Sequence, residues 1–159
     1  MTDGLRERLW QLCELVEWEM QHLQATDQRL FERPFDAQRA ASLAHDDALA
    51  ERVDAFVARF GRLQDTLGDK LMPALLRWLG QPPAPVLDNL RSLEQWGWLA
   101  NAEAWLEARA LRNRLIHEYQ KDPALLADAL NLAHERVGLL VATAQRLITE
   151  TRRRLPSAP

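Results

Sequence analysis

The chain lacks several sequence features that stabilise other classes of protein or direct them to a membrane or out of the cell. It is 159 residues long and contains one cysteine, Cys13, so an intramolecular disulfide is excluded. It has neither the cysteine and histidine spacing of a zinc site nor a glycine-rich loop that cradles phosphates. It also has no hydrophobic run long enough to span a membrane and no apolar N-terminal segment typical of a signal peptide. We therefore expect a cytoplasmic protein with no cofactor and no membrane partner.

The excess of charge is small as well. The formal net charge is −3, which does not indicate a nucleic-acid-binding protein by itself. Residues 1–60 contain 7 basic and 12 acidic side chains, whereas residues 121–159 contain 6 and 4. Any RNA site must therefore be a local concentration of arginine, built by assembly of chains, rather than one continuous basic face.

Alternating strand patterns are absent, and apolar residues recur instead at the three- and four-residue spacing of amphipathic helices. The sequence predicts an all-α domain over residues 1–155, folded as an antiparallel bundle of about five helices and homodimeric, with a frayed tail at 156–159. The longest helices are the first, a second through Val53 to Leu71, and the last, which starts at Asp122 and Pro123. Internal repeats are not found.

Individual residues refine these helices. Gly61 and Gly68 lie inside the second long helix and would permit close approach of another helix. Pro73 is expected to kink or restart that helix. Trp10 and Trp18 lie beside the apolar stripe of the first helix, and we expect both to widen its core face, the alternative being that they form a surface for a partner.

The stretch 112–119 contains the candidate functional residues, Arg112, Asn113, His117 and Tyr119, the only tyrosine of the chain. The planar guanidinium of arginine binds phosphate and stays charged, and histidine exchanges a proton near neutral pH. These two groups together suit phosphodiester chemistry without a metal.

Helix geometry places Arg112 in the middle of an apolar stripe and His117 on a flank, about 140° away at 100° per residue. One straight helix would not bring both side chains to one substrate. A bend would do so, and so would two-fold pairing of the same helix from two chains. The alternative is that Arg112 forms a structural ion pair, for which Asp65, Asp69 and Asp88 are candidates, and that His117 is an ordinary histidine.

The pattern R-N-x-L-x-H-x-Y at 112–119 resembles the signature of HEPN-domain proteins, and most of all the HepT-type toxins encoded beside a minimal nucleotidyltransferase antitoxin. The stretch 59–71 also looks like the second helix of that family. The resemblance implies a metal-independent endoribonuclease that acts on RNA at a homodimer cleft, with Arg112, Asn113 and His117 as catalytic residues. It further implies that the antitoxin neutralises the toxin by adding AMP to Tyr119.

Two other functions stay open at this point. One is a non-catalytic subunit that binds a nucleotide or substrate for a nucleotidyltransferase and uses Arg112 and Tyr119 only for docking or modification. The other is an all-helical structural protein in which the motif is accidental.

Overall fold

The computed structural model describes residues 2–117 and 122–157, and every regular element in those ranges is helical. The helices are α1 (Thr2–Leu30), α2 (Ala37–Ala41), α3 (Asp47–Asp65), α4 (Met72–Trp78), α5 (Val86–Gln95), α6 (Ala102–His117) and α7 (Pro123–Arg154). A 3₁₀ turn, Ser42–Ala44, follows α2, and a π-helical segment, Thr66–Leu71, joins α3 to α4 without a break. The all-α prediction is confirmed for the described residues. If α3, the π segment and α4 are taken as one rod, these residues form six helical units.

Several of these helices begin at a short polar side chain. The first backbone N–H groups of a helix have no partner within it, and such a side chain accepts a hydrogen bond from one of them. Asp36 accepts from the N–H of Arg39 at 2.7 Å, and Asn101 accepts from the N–H of Ala104 at 3.0 Å. Asp122 caps α7, with Pro123 in its first turn. The start of α7 at Asp122 and Pro123 confirms the sequence prediction.

Helices α1, α3 and α7 form the long antiparallel bundle that the sequence predicts. Glu17 of α1 pairs with Arg152 near the end of α7 at 3.0 Å. Asp27, further along α1, pairs with His134, which comes earlier in α7, at 2.7 Å. The two helices therefore run in opposite directions. No helix within the described ranges is both long and apolar enough to cross a membrane.

Helix α6 packs closely against the rod because two glycines of the rod face it. A Cβ placed on Gly68 would lie 3.5 Å from the indole of Trp105, which is 1 % exposed. A Cβ placed on Gly61 would lie 2.9 Å from Nε of Arg112. Gly61 and Gly68 are seven residues apart, and so are their partners Arg112 and Trp105 in the reverse order. The two helices therefore run antiparallel and meet at two successive contacts. The predicted close approach is confirmed.

Two expectations about single residues have different outcomes. Pro73 lies in the first turn of α4, directly after the π segment, so the rod restarts there rather than ending. Trp10 packs against the core, but Trp18 is 54 % exposed and contacts His22 with ring centroids 4.2 Å apart. The prediction that Trp18 is a core residue is wrong, because its direction on α1 points away from both α3 and α7.

A carboxyl group lies in the interior at the contact between α1 and the rod. Glu19 is 4 % exposed, and its Oε1 accepts from Oγ1 of Thr66 at 3.0 Å. Oε2 has no hydrogen-bond partner among the described residues. Burial raises the pKa of Glu19, and this effect exceeds the lowering caused by the Thr66 hydrogen bond and by the positive charges of Arg62 and Lys70.

We predict that Glu19→Gln stabilises the protein at neutral pH. A carboxyl whose folded pKa is raised binds its proton more tightly in the folded than in the unfolded chain, so the folded state loses stability as pH rises through the interval between the two pKa values. Glutamine keeps an oxygen that accepts from Thr66 and carries no charge. The difference in urea unfolding free energy between variant and wild type should grow from pH 4 to pH 7. A constant difference would show that Glu19 is not protonated preferentially in the fold.

Candidate functional site

An open groove of about 450 Å³ runs between α3 and α6. Its α3 wall includes Gly61, Arg62 and Asp65, and its α6 wall includes Arg112 and Ile116. Ile116 is 48 % exposed, so the groove has an apolar edge open to solvent next to its charged centre. The groove exists because the contact at Gly61 holds α6 close at one point, while side chains separate the helices around it.

Arg112 is the central side chain of this groove. Its Nη2 donates to Oδ2 of Asp65 at 2.9 Å, and its Nη1 donates to Oδ1 of Asn113 at 3.2 Å. Its Nε lies buried against Gly61 and has no hydrogen-bond partner among the described residues. A guanidinium has five N–H donors, and only two of them are used by these hydrogen bonds. Arg112 is thus held in place, and because Nε is buried, one N–H of each terminal nitrogen remains for an anion.

The Arg112–Asp65 contact is the ion pair that the structural alternative predicts, and Asp65 is the partner among the three candidate aspartates. The two side chains are 30 % and 45 % exposed. Ion pairs at this degree of exposure contribute about 0–1 kcal/mol to stability, because water and salt screen them. The pair therefore orients Arg112 more than it stabilises the fold, and its exposure leaves the guanidinium accessible from the groove.

The structure brings Arg112 and Asn113 together but does not bring His117 to them. His117 is exposed, and no hydrogen bond joins its imidazole to another residue of the ranges 2–117 and 122–157. This agrees with the helix geometry, which separates Arg112 and His117 by about 140°. Tyr119 lies outside the described residues, so its predicted role is not placed.

Sequence reasoning missed two contributors to the groove. Gly61 was expected to admit another helix, but not to cradle the candidate phosphate-binding arginine itself. Arg62 also lines the groove and adds a second guanidinium beside Arg112. The matched seven-residue spacings of Gly61 to Gly68 and of Trp105 to Arg112 are the sequence signal that relates the two helices.

Comparison of the chain with protein-family models, with curated proteins and with solved structures finds no match. Within the part of the chain that the structure describes, no three His, Cys, Asp or Glu side chains cluster as metal ligands. The site must therefore be interpreted from its own geometry and from the motif.

We predict that Gly61→Ala displaces Arg112 without unfolding the protein. The added Cβ would lie 2.9 Å from Nε and 3.2 Å from Cγ of Arg112, so the arginine must move, while alanine favours the helix by about 1 kcal/mol. The Nε–Hε signal of Arg112 in ¹⁵N NMR spectra, assigned with Arg112→Lys, should shift.

Gly68→Ala is the matched control, because its Cβ would meet Trp105 at 3.5 Å, an ordinary van der Waals distance. That variant should keep the Arg112 signal in place. An unchanged signal in Gly61→Ala would mean that Gly61 does not position the guanidinium.

Proposed function

We propose that this protein is a metal-independent endoribonuclease and the toxin of a toxin–antitoxin pair, with Arg112, Asn113 and His117 as its catalytic residues. The observation that carries the proposal is the way in which the Arg112 guanidinium is held. It is fixed by Asp65 and Asn113 at an open groove, with donors left for a phosphate. The motif that contains it also provides a histidine, which is the second group that the chemistry needs.

Each of the three residues has a distinct task in this mechanism, and that of Asn113 is to orient the histidine or a phosphate oxygen. Arg112 binds the scissile phosphate and stabilises the negative charge that develops on it. His117 takes the proton of the ribose 2′-hydroxyl as the bond from the 2′-oxygen to phosphorus forms. The bond from phosphorus to the 5′-oxygen breaks, and that oxygen takes a proton from water. The product is a 2′,3′-cyclic phosphate, and DNA is not a substrate because it has no 2′-hydroxyl.

A homodimer supports this chemistry better than one chain does. Within a single chain, Arg112 lies in the groove and His117 lies exposed on another face of α6. Two-fold pairing of α6 would supply Arg112 from one chain and His117 from the other. The exposed Ile116 beside Arg112 offers an apolar surface for the second chain to cover.

The first test is cleavage of a single-stranded RNA by the purified protein. Wild type should cleave in the presence of EDTA and should leave the cyclic phosphate end. His117→Ala should lose at least about 100-fold in rate, the lower range for removal of a general base. Activity that survives in this variant, or that EDTA abolishes in wild type, would rule out the mechanism.

Mixing two inactive variants tests the shared site. Arg112→Ala and His117→Ala should each be inactive, but a mixture that exchanges chains should regain cleavage, because one of its sites combines an intact Arg112 with an intact His117. The control is the same mixture after chemical crosslinking of each homodimer, which should stay inactive. No recovery in a mixture shown by mass spectrometry to contain heterodimers would contradict the composite site.

A second function is favoured by one observation, the separation of Arg112 from His117 in the single chain. A non-catalytic subunit that presents a nucleotide or substrate to a nucleotidyltransferase would use the Arg112 groove and would not need His117. This alternative predicts that His117→Ala keeps full function in the complex and that wild type does not cleave RNA.

We predict that AMP on Tyr119 silences the protein. Tyr119 follows Arg112 by seven residues, which on a continuing helix is about 20° away on the same face. The added phosphate would occupy the donors of Arg112 and fill the space of a substrate phosphate. Incubation with a neighbouring nucleotidyltransferase and ATP should add the mass of AMP to wild type and stop RNA cleavage.

Tyr119→Phe should stay active under the same conditions, because it has no hydroxyl to modify. Silencing of the phenylalanine variant, or absence of a mass gain in wild type, would show that Tyr119 is not the switch.

A further inference from the structure

A second groove, of about 310 Å³, lies between α1 and α3. Three arginines line it, Arg29 from α1 and Arg52 and Arg59 from α3, with Thr26 and Glu51 between them. We call it the α1–α3 groove. Its lining has two more positive than negative charges, although residues 1–60 have a net charge of −5.

The arginines of this groove differ from several others in the groups that their guanidinium contacts. Arg112, Arg136 and Arg152 each form an ion pair with a carboxylate. Within the described residues, Arg29 and Arg52 form none. Arg59 donates only to uncharged oxygens, the hydroxyl of Thr26 and the carbonyl of His22, the latter at 3.3 Å. Among the described residues, no carboxylate therefore forms an ion pair with the three guanidinium groups of the groove, although Glu51 also lines it.

Like charge also accumulates next to the groove. Arg39 donates to the carbonyl of Arg33 at 2.7 Å and lies over the ring of Phe35. Burial lowers the pKa of Arg39, and the positive charges of Arg33 and Arg52 lower it further, against the attraction of Asp36. Five of the seven basic residues of the range 1–60 thus lie at this end of the α1–α3 contact, namely Arg29, Arg33, Arg39, Arg52 and Arg59.

The two grooves are neighbours on the surface of α3. Arg59 lines the α1–α3 groove, and Arg62 lines the α3–α6 groove beside Arg112. Residues three apart on a helix have Cβ atoms about 5–6 Å apart on its surface. Two small side chains lie next to these arginines, Ala55 in the lining of the α1–α3 groove and Ala58 in that of the α3–α6 groove, so a chain molecule can cross α3 there without a large obstruction. Glu51 and Asp54 also line the two grooves.

We propose that the α1–α3 groove binds backbone phosphates of the RNA that flank the phosphate at Arg112. Guanidinium groups bind phosphate oxygens with paired N–H donors, independently of base sequence. The carboxylates of an acidic protein segment would also accept hydrogen bonds from these N–H donors. The continuous path from Arg29 and Arg52 through Arg59 and Arg62 to Arg112 favours a phosphodiester chain, which presents one charge per nucleotide. The inference takes its substrate, RNA, from the proposed function. It assigns part of that RNA to a surface separate from the Arg112 site.

The test measures binding apart from cleavage. A fluorescein-labelled single-stranded RNA is titrated with the full-length His117→Ala protein, so that the RNA stays intact, and anisotropy is followed at several salt concentrations. Adding Arg29→Ala and Arg52→Ala should weaken binding roughly tenfold at low salt. It should also lower the slope of log affinity against log salt by about 1.4, since each phosphate contact to a single strand contributes about 0.7. Arg59 is left intact because its hydrogen bonds join α1 to α3.

The matched control replaces Arg8 and Arg91, which are exposed on α1 and α5 away from the groove. That variant has the same net charge as the groove variant and should bind RNA like the parent protein. Thermal unfolding followed by circular dichroism checks that both double variants are folded. Equal loss of affinity in both would mean that net charge alone determines binding, and would overturn the proposal.

The remaining outcomes separate this inference from the proposed function. If wild type cleaves RNA but the groove variant binds with unchanged affinity and salt slope, the groove is not an RNA site although the nuclease stands. If wild type does not cleave but binding depends on Arg29 and Arg52, the nuclease fails and the groove stands. If the groove variant loses affinity for the nucleotidyltransferase and not for RNA, the groove binds an acidic partner and the proposal is wrong.

Discussion

The close contact of α6 with the rod formed by α3, the π segment and α4 determines the rest of the arrangement. It depends on two missing Cβ atoms. Gly68 admits the indole of Trp105 into the interior, and Gly61 admits the aliphatic part and Nε of Arg112. The first contact buries a large apolar surface, which stabilises the helix pair. The second uses that rigid pair to fix a charged group at the edge of a groove. A guanidinium held by the backbone of a neighbouring helix loses little conformational freedom when an anion binds, which is the physical basis of preorganised phosphate recognition.

Charge in this protein is organised by position rather than by amount. The chain as a whole is slightly acidic, yet the structure places arginines along two adjacent grooves and pairs many of the others with carboxylates. Glu150, which is 2 % exposed, contacts Arg146 at 3.2 Å and also Arg154, so arginines near the end of α7 contribute to structure. By contrast, Arg112 keeps N–H donors beside its partner Asp65, and among the described residues the arginines of the α1–α3 groove have no carboxylate partner, so both grooves are suited to an external phosphate.

Much of the helical framework could be predicted from the sequence, because caps, apolar spacing and glycine act locally. Asp36, Asn101 and Asp122 begin helices as their side chains dictate, and Gly61 and Gly68 mark a close helix contact. Contacts between distant parts of the chain were harder to predict. Trp18 was assigned to the core because its position on α1 lies near the apolar stripe, but no neighbouring helix covers that side. Asp65 could be named as a partner of Arg112 only among three candidates. The α1–α3 groove was not foreseen, since its arginines come from segments more than twenty residues apart in an acidic part of the chain.

The π segment Thr66–Leu71 has a consequence for how this rod tolerates change in length. A π turn accommodates about one residue more than an α-helical turn in the same span, so the extra residue is absorbed within the segment. Deletion of one residue there would leave a plain α-helix in which Leu75 and Leu76, which are now buried, still face the core. A one-residue deletion elsewhere in the rod would rotate the residues after it by about 100° and turn these leucines away from the core. The rod therefore has one segment in which a change of length keeps its groove-lining half aligned with its core-forming half.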